Sequence, residues 1–231
     1  LLTRAVQPTL WLVVFGQVMA RLRGLSGEGL PYLDFLAPGI LAQSVLFVAI
    51  FYGISLIWER DLGILHKFLV SPAYRPALVL GKAVSAAVRA LSQALIVYAV
   101  AAAMGAHLAW RPVALAGVVL FVGVGAAVFA SFSMVVACLV RTRERFMGIG
   151  QVLTMPLFFA SNAIYPMAAM PGWIAAVARL NPLTYQVDAL RALMVEGGRS
   201  VLGLGTDLAV QLAVLAALVA AAARLYPSAA R

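Results

Sequence analysis

From Pro112 to Val140 the chain reads "PVALAGVVLFVGVGAAVFASFSMVVACLV", with no charged side chain anywhere in the run. About 20 mostly apolar residues suffice for a helix to cross a hydrocarbon layer of ~30 Å. Six segments of the chain approach or exceed that length: Ala5–Ala20, Phe35–Trp58, Ala83–Ala106, Pro112–Val140, Phe146–Ile164 and Leu208–Ala223. The first and last are short and need flanking residues to complete them. The expected fold is an all-α integral membrane protein with six transmembrane helices, forming a single transmembrane domain over residues 1–231.

Composition supports lipid as the solvent. Hydrophobic residues make up 64% of the chain, charged residues 11%, and mean hydropathy is +1.01. That leaves too little polar material to cover a soluble surface. The net charge of +9 does not signal nucleic acid, since aromatic–basic interleaving is absent. It fits the accumulation of Lys and Arg in cytoplasmic loops. With both termini in the cytoplasm, ten basic residues fall inside (Arg4, Arg60, Lys67, Arg75, Lys82, Arg141, Arg143, Arg145, Arg224, Arg231) and six outside (Arg21, Arg23, Arg111, Arg179, Arg191, Arg199). Arg89 lies about two turns into the third span, from where it can snorkel inward. Leu1–Ala20 lacks a small-residue cleavage site and reads as a span, not as a signal peptide. The chain opens on Leu1 and not on Met, so its true N-terminus, and with it any surface helix before the first span, is expected to lie upstream.

Several chemistries lack their residues. The lone Cys138 permits no intramolecular disulfide, and His66 and His107 have no acid or cysteine at ligand spacing, so no metal site is expected. Gly81-Lys82 is followed by Ala83 and lacks the upstream glycine of a phosphate loop; "GLSGE" at Gly24–Glu28 is not a nucleophile elbow. All eight acids fall in loops or at span ends, which argues against an ion-coupled transporter. The chain is not expected to be an enzyme by itself, nor to hold a cofactor.

Two stretches interrupt the apolar pattern. The first, "WERDLGILHKFLVSPAYRPALVLGK" from Trp58 to Lys82, is cytoplasmic in this topology. At 100° per residue Leu62, Ile64, Leu65, Phe68 and Leu69 share one side, and Glu59, Arg60, Gly63, His66 and Lys67 the other. This predicts an amphipathic surface helix over Glu59–Leu69, ended before Pro72. It is either a passive anchor or a docking element, with Gly63 on the polar face where a partner's backbone could approach. The second stretch is Asn162–Gly198. Asn181 is a good N-cap, Pro182 suits the first helical position, and Gly197-Gly198 stops the helix. Leu183, Val187, Leu190 and Met194 form one stripe, with Thr184, Asp188 and Arg191 beside it. With a preceding helix over Pro171–Leu180, this predicts two short re-entrant or interfacial helices, either a passive hairpin or a lid.

Within the spans, Gly123, Ala127 and Ser131, and likewise Ala209, Ala213, Ala217 and Ala221, form small-residue packing seams. Gln151, Thr154, Ser161 and Asn162 on the fifth span, and Ser85, Arg89, Ser92 and Gln93 on the third, are polar groupings. They serve either interhelical hydrogen bonding or a transient path.

Both interrupting stretches resemble those of ABC-2 type exporter membrane subunits, in particular the daunorubicin-resistance and nodulation-factor export permeases. The resemblance covers essentially the whole chain. In "ERDLGILHKFLVSPAYRPALVLGK" the matching residues are Glu59, Gly63, Leu69, Pro72, Gly81 and Lys82. In "AIYPMAAMPGWIAAVARLNPLTYQVDALR" they are Tyr165-Pro166, Pro171, Asn181-Pro182, Tyr185, Asp188 and Arg191. The resemblance implies a multi-pass permease of the bacterial cell membrane that pairs with a second copy or a paralogue. It also implies two separate ATP-binding subunits, which carry the ATP and Mg. The expected cargo is a hydrophobic or amphipathic drug-like or lipid-like compound, or alternatively a lipo-oligosaccharide. By the same resemblance Glu59, Arg60, Gly63, His66 and Lys67 would dock the ATPase. Tyr165, Pro166, Asn181, Pro182, Tyr185, Asp188 and Arg191 would form an outer gate, and Gln151, Thr154, Phe158 and Asn162 a substrate path. An ion-coupled transporter, a channel or a scaffold remains as the reading from other classes.

Overall fold

The computed structural model describes residues 7–16, 31–64, 75–140 and 142–226. Among them the chain is helical throughout, apart from turns and one isolated β-bridge, Leu108 to Val195. A π-helical turn covers Trp11–Phe15. The α-helices are α1 (Tyr32–Ile50), α2 (Tyr52–Asp61), α3 (Arg75–Ala103), α4 (Pro112–Leu139), α5 (Arg143–Phe159), α6 (Gly172–Leu180), α7 (Pro182–Met194) and α8 (Leu204–Leu225).

Four helical stretches among the described residues are long and apolar enough to cross a membrane: Tyr32–Asp61, Pro76–Ala103, Pro112–Leu139 and Leu204–Leu225. They correspond to the second, third, fourth and sixth expected spans. Of the first expected span only Gln7–Gly16 is described; the remainder lies outside the described residues. The fifth is shorter than expected. Its helix, α5, has 17 residues and gives way to a turn after Phe159. The helix of the third span is described from Arg75 onward, ahead of its apolar core.

The bundle is built around α4. It packs along α3 and α8 and also against α1, α2 and α7, whereas α5 touches the rest only lightly. Outward-facing apolar side chains such as Val84, Val88, Leu95, Val113 and Leu212 stay exposed, as expected for a lipid-facing rim. Close approach is set by small residues. A Cβ on Gly39 of α1 would fall 2.3 Å from the Ala163 carbonyl oxygen, and one on Gly125 of α4 would strike the Gln186 amide at 2.4 Å.

The helix from Tyr32 to Asp61 is broken at Phe51. There Ser133 of α4 repairs the ladder: its hydroxyl donates to the Ile50 carbonyl and accepts the Gly53 N–H at 3.0 Å. Gly53 permits this, since a Cβ would lie 2.3 Å from Ser133 Oγ. An inserted side-chain hydroxyl is a recognised cause of a helix kink.

The expected continuous helix over Glu59–Leu69 is interrupted. α2 ends at Asp61, and Gly63 takes a left-handed conformation (φ +69) while its N–H bonds to the Arg60 carbonyl at 2.9 Å. Gly63 is therefore a helix stop, since only glycine adopts this backbone without a Cβ penalty. Residues 65–69 of that stretch lie outside the described residues.

Gly39→Val is expected to lower the thermal midpoint of the detergent-purified protein by the equivalent of at least about 2 kcal/mol, since it pushes a side chain into fixed backbone. Gly81→Ala, whose Cβ meets nothing within 4 Å, should leave the midpoint unchanged or raise it.

Candidate functional site

One end of the bundle is ionic. Glu59 pairs with Lys82 at 2.5 Å, both largely buried, and ties α2 to α3. The Arg60 guanidinium donates to the Val140 carbonyl at 3.2 Å and lies 3.7 Å from Asp61. Asp61 accepts from Arg143 at 3.1 Å, and that guanidinium also covers the Trp58 ring at 5.0 Å. Thr142 caps α5 by accepting the Arg145 N–H. Glu59 and Arg60 of the expected docking face thus hold α2 to its neighbours. His66 and Lys67 lie outside the described residues.

The opposite end is polar and more deeply buried. Asp34 receives the His107 N–H at 2.9 Å and faces its ring Nδ1 at 2.9 Å, which clips the α3–α4 turn to α1. Arg191 is buried, donates to the Asn162 carbonyl at 2.7 Å, and stacks 3.8 Å above the Phe35 ring. Asp188 accepts the Leu202 N–H and the Ser200 hydroxyl, each at 2.8 Å; that hydroxyl also lies 3.0 Å from Asp207 and accepts the Gly203 N–H at 2.7 Å. The polar face of α7 thus points into the protein and not along a membrane surface. Arg191 and one oxygen of Asp188 are hydrogen-bonded there, which offsets part of the cost of their burial.

Asn181 joins two helices. Its Oδ1 accepts the Leu183 N–H at 3.0 Å as the N-cap of α7, and its Nδ2 donates to the Leu157 and Ala160 carbonyls at 2.7 and 3.2 Å at the end of α5. Pro182 occupies the first helical position as expected. α7 ends at Met194, where Val195 pairs with Leu108, before the glycines expected to stop it. The Tyr185 hydroxyl donates to the Arg179 carbonyl at 2.6 Å, the Tyr165 hydroxyl to the Phe159 carbonyl, and Pro166 starts the 3-10 turn Met167–Ala169. The expected gate residues therefore gather at one end, bracing α5, α6 and α7. α6 itself lies on the surface with Trp173 exposed.

Between the two ends lies a cavity of about 570 Å³, bounded by α1, α2, α3, α5 and the segment at Gln7-Pro8. Phe47, Val48, Phe51, Ile54, Phe146, Met147 and Met155 supply most of its apolar wall; Gln7, Gln43, Ser44, Gln93, Gln151 and Thr154 are its polar members. Along α1 and α2 the wall runs from Gln43 to Ile54, about 16 Å at a rise of 1.5 Å per residue. It thus reaches from mid-helix toward the Glu59 end. Gln151 and Thr154 of the expected path line it. Phe158 and Asn162 do not: Phe158 packs edge-on against Trp11 at 5.9 Å, and Asn162 lies beneath Arg191. Sequence reasoning did not single out Gln43, Ser133, Ser200 or the Asp34–His107 pair. The polar–apolar alternation around Gln43 carries no periodic signal, and pairs 73 residues apart have no local one.

The family model described as ABC-2 type transporter matches residues 1–195. The ycf38 protein of Cyanophora paradoxa is 29% identical over 202 residues, covering 84% of this chain and 67% of its own. The daunorubicin resistance ABC transporter permease protein DrrB1 of Streptomyces coeruleorubidus is 27% identical over 230 residues, 96% of this chain and 77% of its own. Nodulation protein J of Bradyrhizobium diazoefficiens is 31% identical over 180 residues, 74% of this chain and 65% of its own.

Asn181→Ala should destabilise the purified protein by about 2–3 kcal/mol, from a lost cap and two lost hydrogen bonds. Asn181→Asp keeps the cap acceptor but turns a carboxylate oxygen toward the two carbonyls in a buried position, so it should cost at least as much, as read from thermal unfolding in detergent.

Proposed function

Since this chain belongs to the ABC-2 type transporter family, whose membrane subunits are non-catalytic and hold no cofactor of their own, we propose that it drives export of an amphipathic, drug-like or lipid-like compound through force supplied by ATP-binding subunits. The cavity carries this reading. It is large enough for a drug-sized molecule, and its wall runs along α1 and α2 toward the end of the bundle where α2 presents its charged tip.

In this reading the Glu59 end is cytoplasmic, both termini lie on that side, and six spans cross the membrane. Gln7–Gly16 belongs to the first of these and α5 to the fifth. Two ATP-binding subunits, holding ATP and Mg, dock on the stretch from Glu59 to Lys67, and a second permease copy or a paralogue completes the pore. Closure of the ATPase pair displaces α2, the cavity changes shape, and cargo leaves past Tyr165, Asn181 and Arg191. Glu59 and Arg60 transmit the push to α3 and α4 through Lys82 and the Val140 carbonyl, while His66 and Lys67 offer charge to the partner. The name of DrrB1 supports a drug-like cargo; a lipo-oligosaccharide is the second candidate. The acids Asp34, Asp188 and Asp207 all stand at the opposite end, engaged with His107, Ser200 and the Leu202 amide, and none lines the cavity. That favours an ATP-driven device over an ion-coupled one.

Co-expression with a candidate ATP-binding subunit tests the reading. The subunit should co-purify with the chain, and His66→Glu with Lys67→Glu should reduce the recovered amount about tenfold, as expected from unfavourable charge at an interface. A thiol placed at Lys67 should react with a membrane-impermeant reagent in inside-out vesicles and not in intact cells. Labelling from the exterior would sink the docking assignment and the orientation together.

A further inference from the structure

The chemistry of the cavity wall restricts what it can hold. Among the described residues no Asp, Glu, Lys, Arg or His lines it; the polar members are carboxamides and hydroxyls. Two of the carboxamides are distinctive. Gln43 of α1 and Gln93 of α3 are 5% and 2% exposed, and neither has a hydrogen-bond partner among the described residues. The hydroxyls differ: Ser44 donates back to the Ile40 carbonyl and Thr154 to that of Gly150, so both are already engaged. Neither amide is fully enclosed: both border the cavity, so their hydrogen bonds are made with what fills it, water or a guest.

Resting on the exporter reading above, we propose that this cavity selects an uncharged amphipathic molecule whose carbonyl, amide or hydroxyl groups pair with the carboxamides of Gln43 and Gln93 while its apolar body lies against Phe47, Phe51 and Met155. A carboxamide offers both a donor and an acceptor, so it serves any of these groups. A charged molecule fares worse, because it sheds its hydration without meeting an opposite charge. Arg89, one turn from Gln93, does not line the cavity; its guanidinium lies over the Tyr52 ring at 5.6 Å. Its positive charge stands against a cation in particular.

The test uses the full chain with its co-purified ATP-binding subunit in lipid nanodiscs without nucleotide. Fluorescence titrations with uncharged Nile red and cationic rhodamine 6G are corrected for empty nanodiscs. Nile red should bind at least tenfold more tightly than rhodamine 6G. Gln43→Leu and Gln93→Leu should each weaken Nile red binding fivefold or more, and Ser92→Ala, away from the cavity, should leave it unchanged. Gln93→Glu keeps the shape and adds an acid, so it should shift preference toward rhodamine 6G by tenfold or more. Equal binding of the two probes, absence of Nile red binding, or indifference to both Leu variants and to Gln93→Glu would overturn the proposal. Those outcomes leave co-purification and thiol labelling, which test the exporter reading, unaffected. Loss of co-purification with selectivity intact would overturn the exporter reading alone.

Discussion

In hydrocarbon an amide or carbonyl that leaves helical register finds no water, so the protein itself must satisfy it. Much of this bundle follows from that constraint. Where the long helix breaks at Phe51, the Ser133 hydroxyl crosses from α4 to bond both loose ends. Where α5 stops, Asn181 supplies two donors to its terminal carbonyls and caps α7 with its remaining oxygen. At the turn between α3 and α4, Asp34 and the strand-like pairing with Val195 take up the freed groups. Each interruption is matched by one polar side chain or a short backbone pairing. These points, more than the apolar contacts, fix how the helices are placed, since apolar side chains gain nothing by exchanging lipid for one another.

The same constraint separates the molecule into three zones. Ion pairs fasten α2, α3 and α5 at one end; buried acids, Arg191 and Asn181 fasten α1, α5, α7 and α8 at the other. Between them the protein keeps a pocket walled by neutral groups. The paired charges thus stand at the two ends, and among the described residues the wall between them is neutral.

Helix identity was largely legible in the residues. Pro112–Val140 is found almost to the residue, and the Asn181-Pro182 start of α7 follows from cap chemistry alone. Depth was not. The Thr184, Asp188, Arg191 face looks like a solvated stripe by composition, yet Ser200, Leu202 and Asn162, distant in sequence, turn it inward. A helical wheel places Gly63 on the polar face of a continuing helix, whereas its positive φ ends α2 there. Gln151 and Thr154 emerged from periodicity, and Gln93 with them, whereas Gln43, alone in an apolar run, carried no such mark. Phe158 and Asn162 share the helical phase of the path residues but lie beyond its reach, against Trp11 and Arg191.

The break at Phe51 has a mechanical side. The ten residues of α2 form an arm about 15 Å long, pinned at its root by the Ser133 hydroxyl and at its tip by the Glu59–Lys82 pair and the Arg60 bond to the Val140 carbonyl. Phe51 and Ile54 are both part of that root and part of the pocket wall. A displacement of the charged tip would therefore bear on the pocket wall at Phe51 and Ile54, as the handle of a nutcracker bears on its jaws.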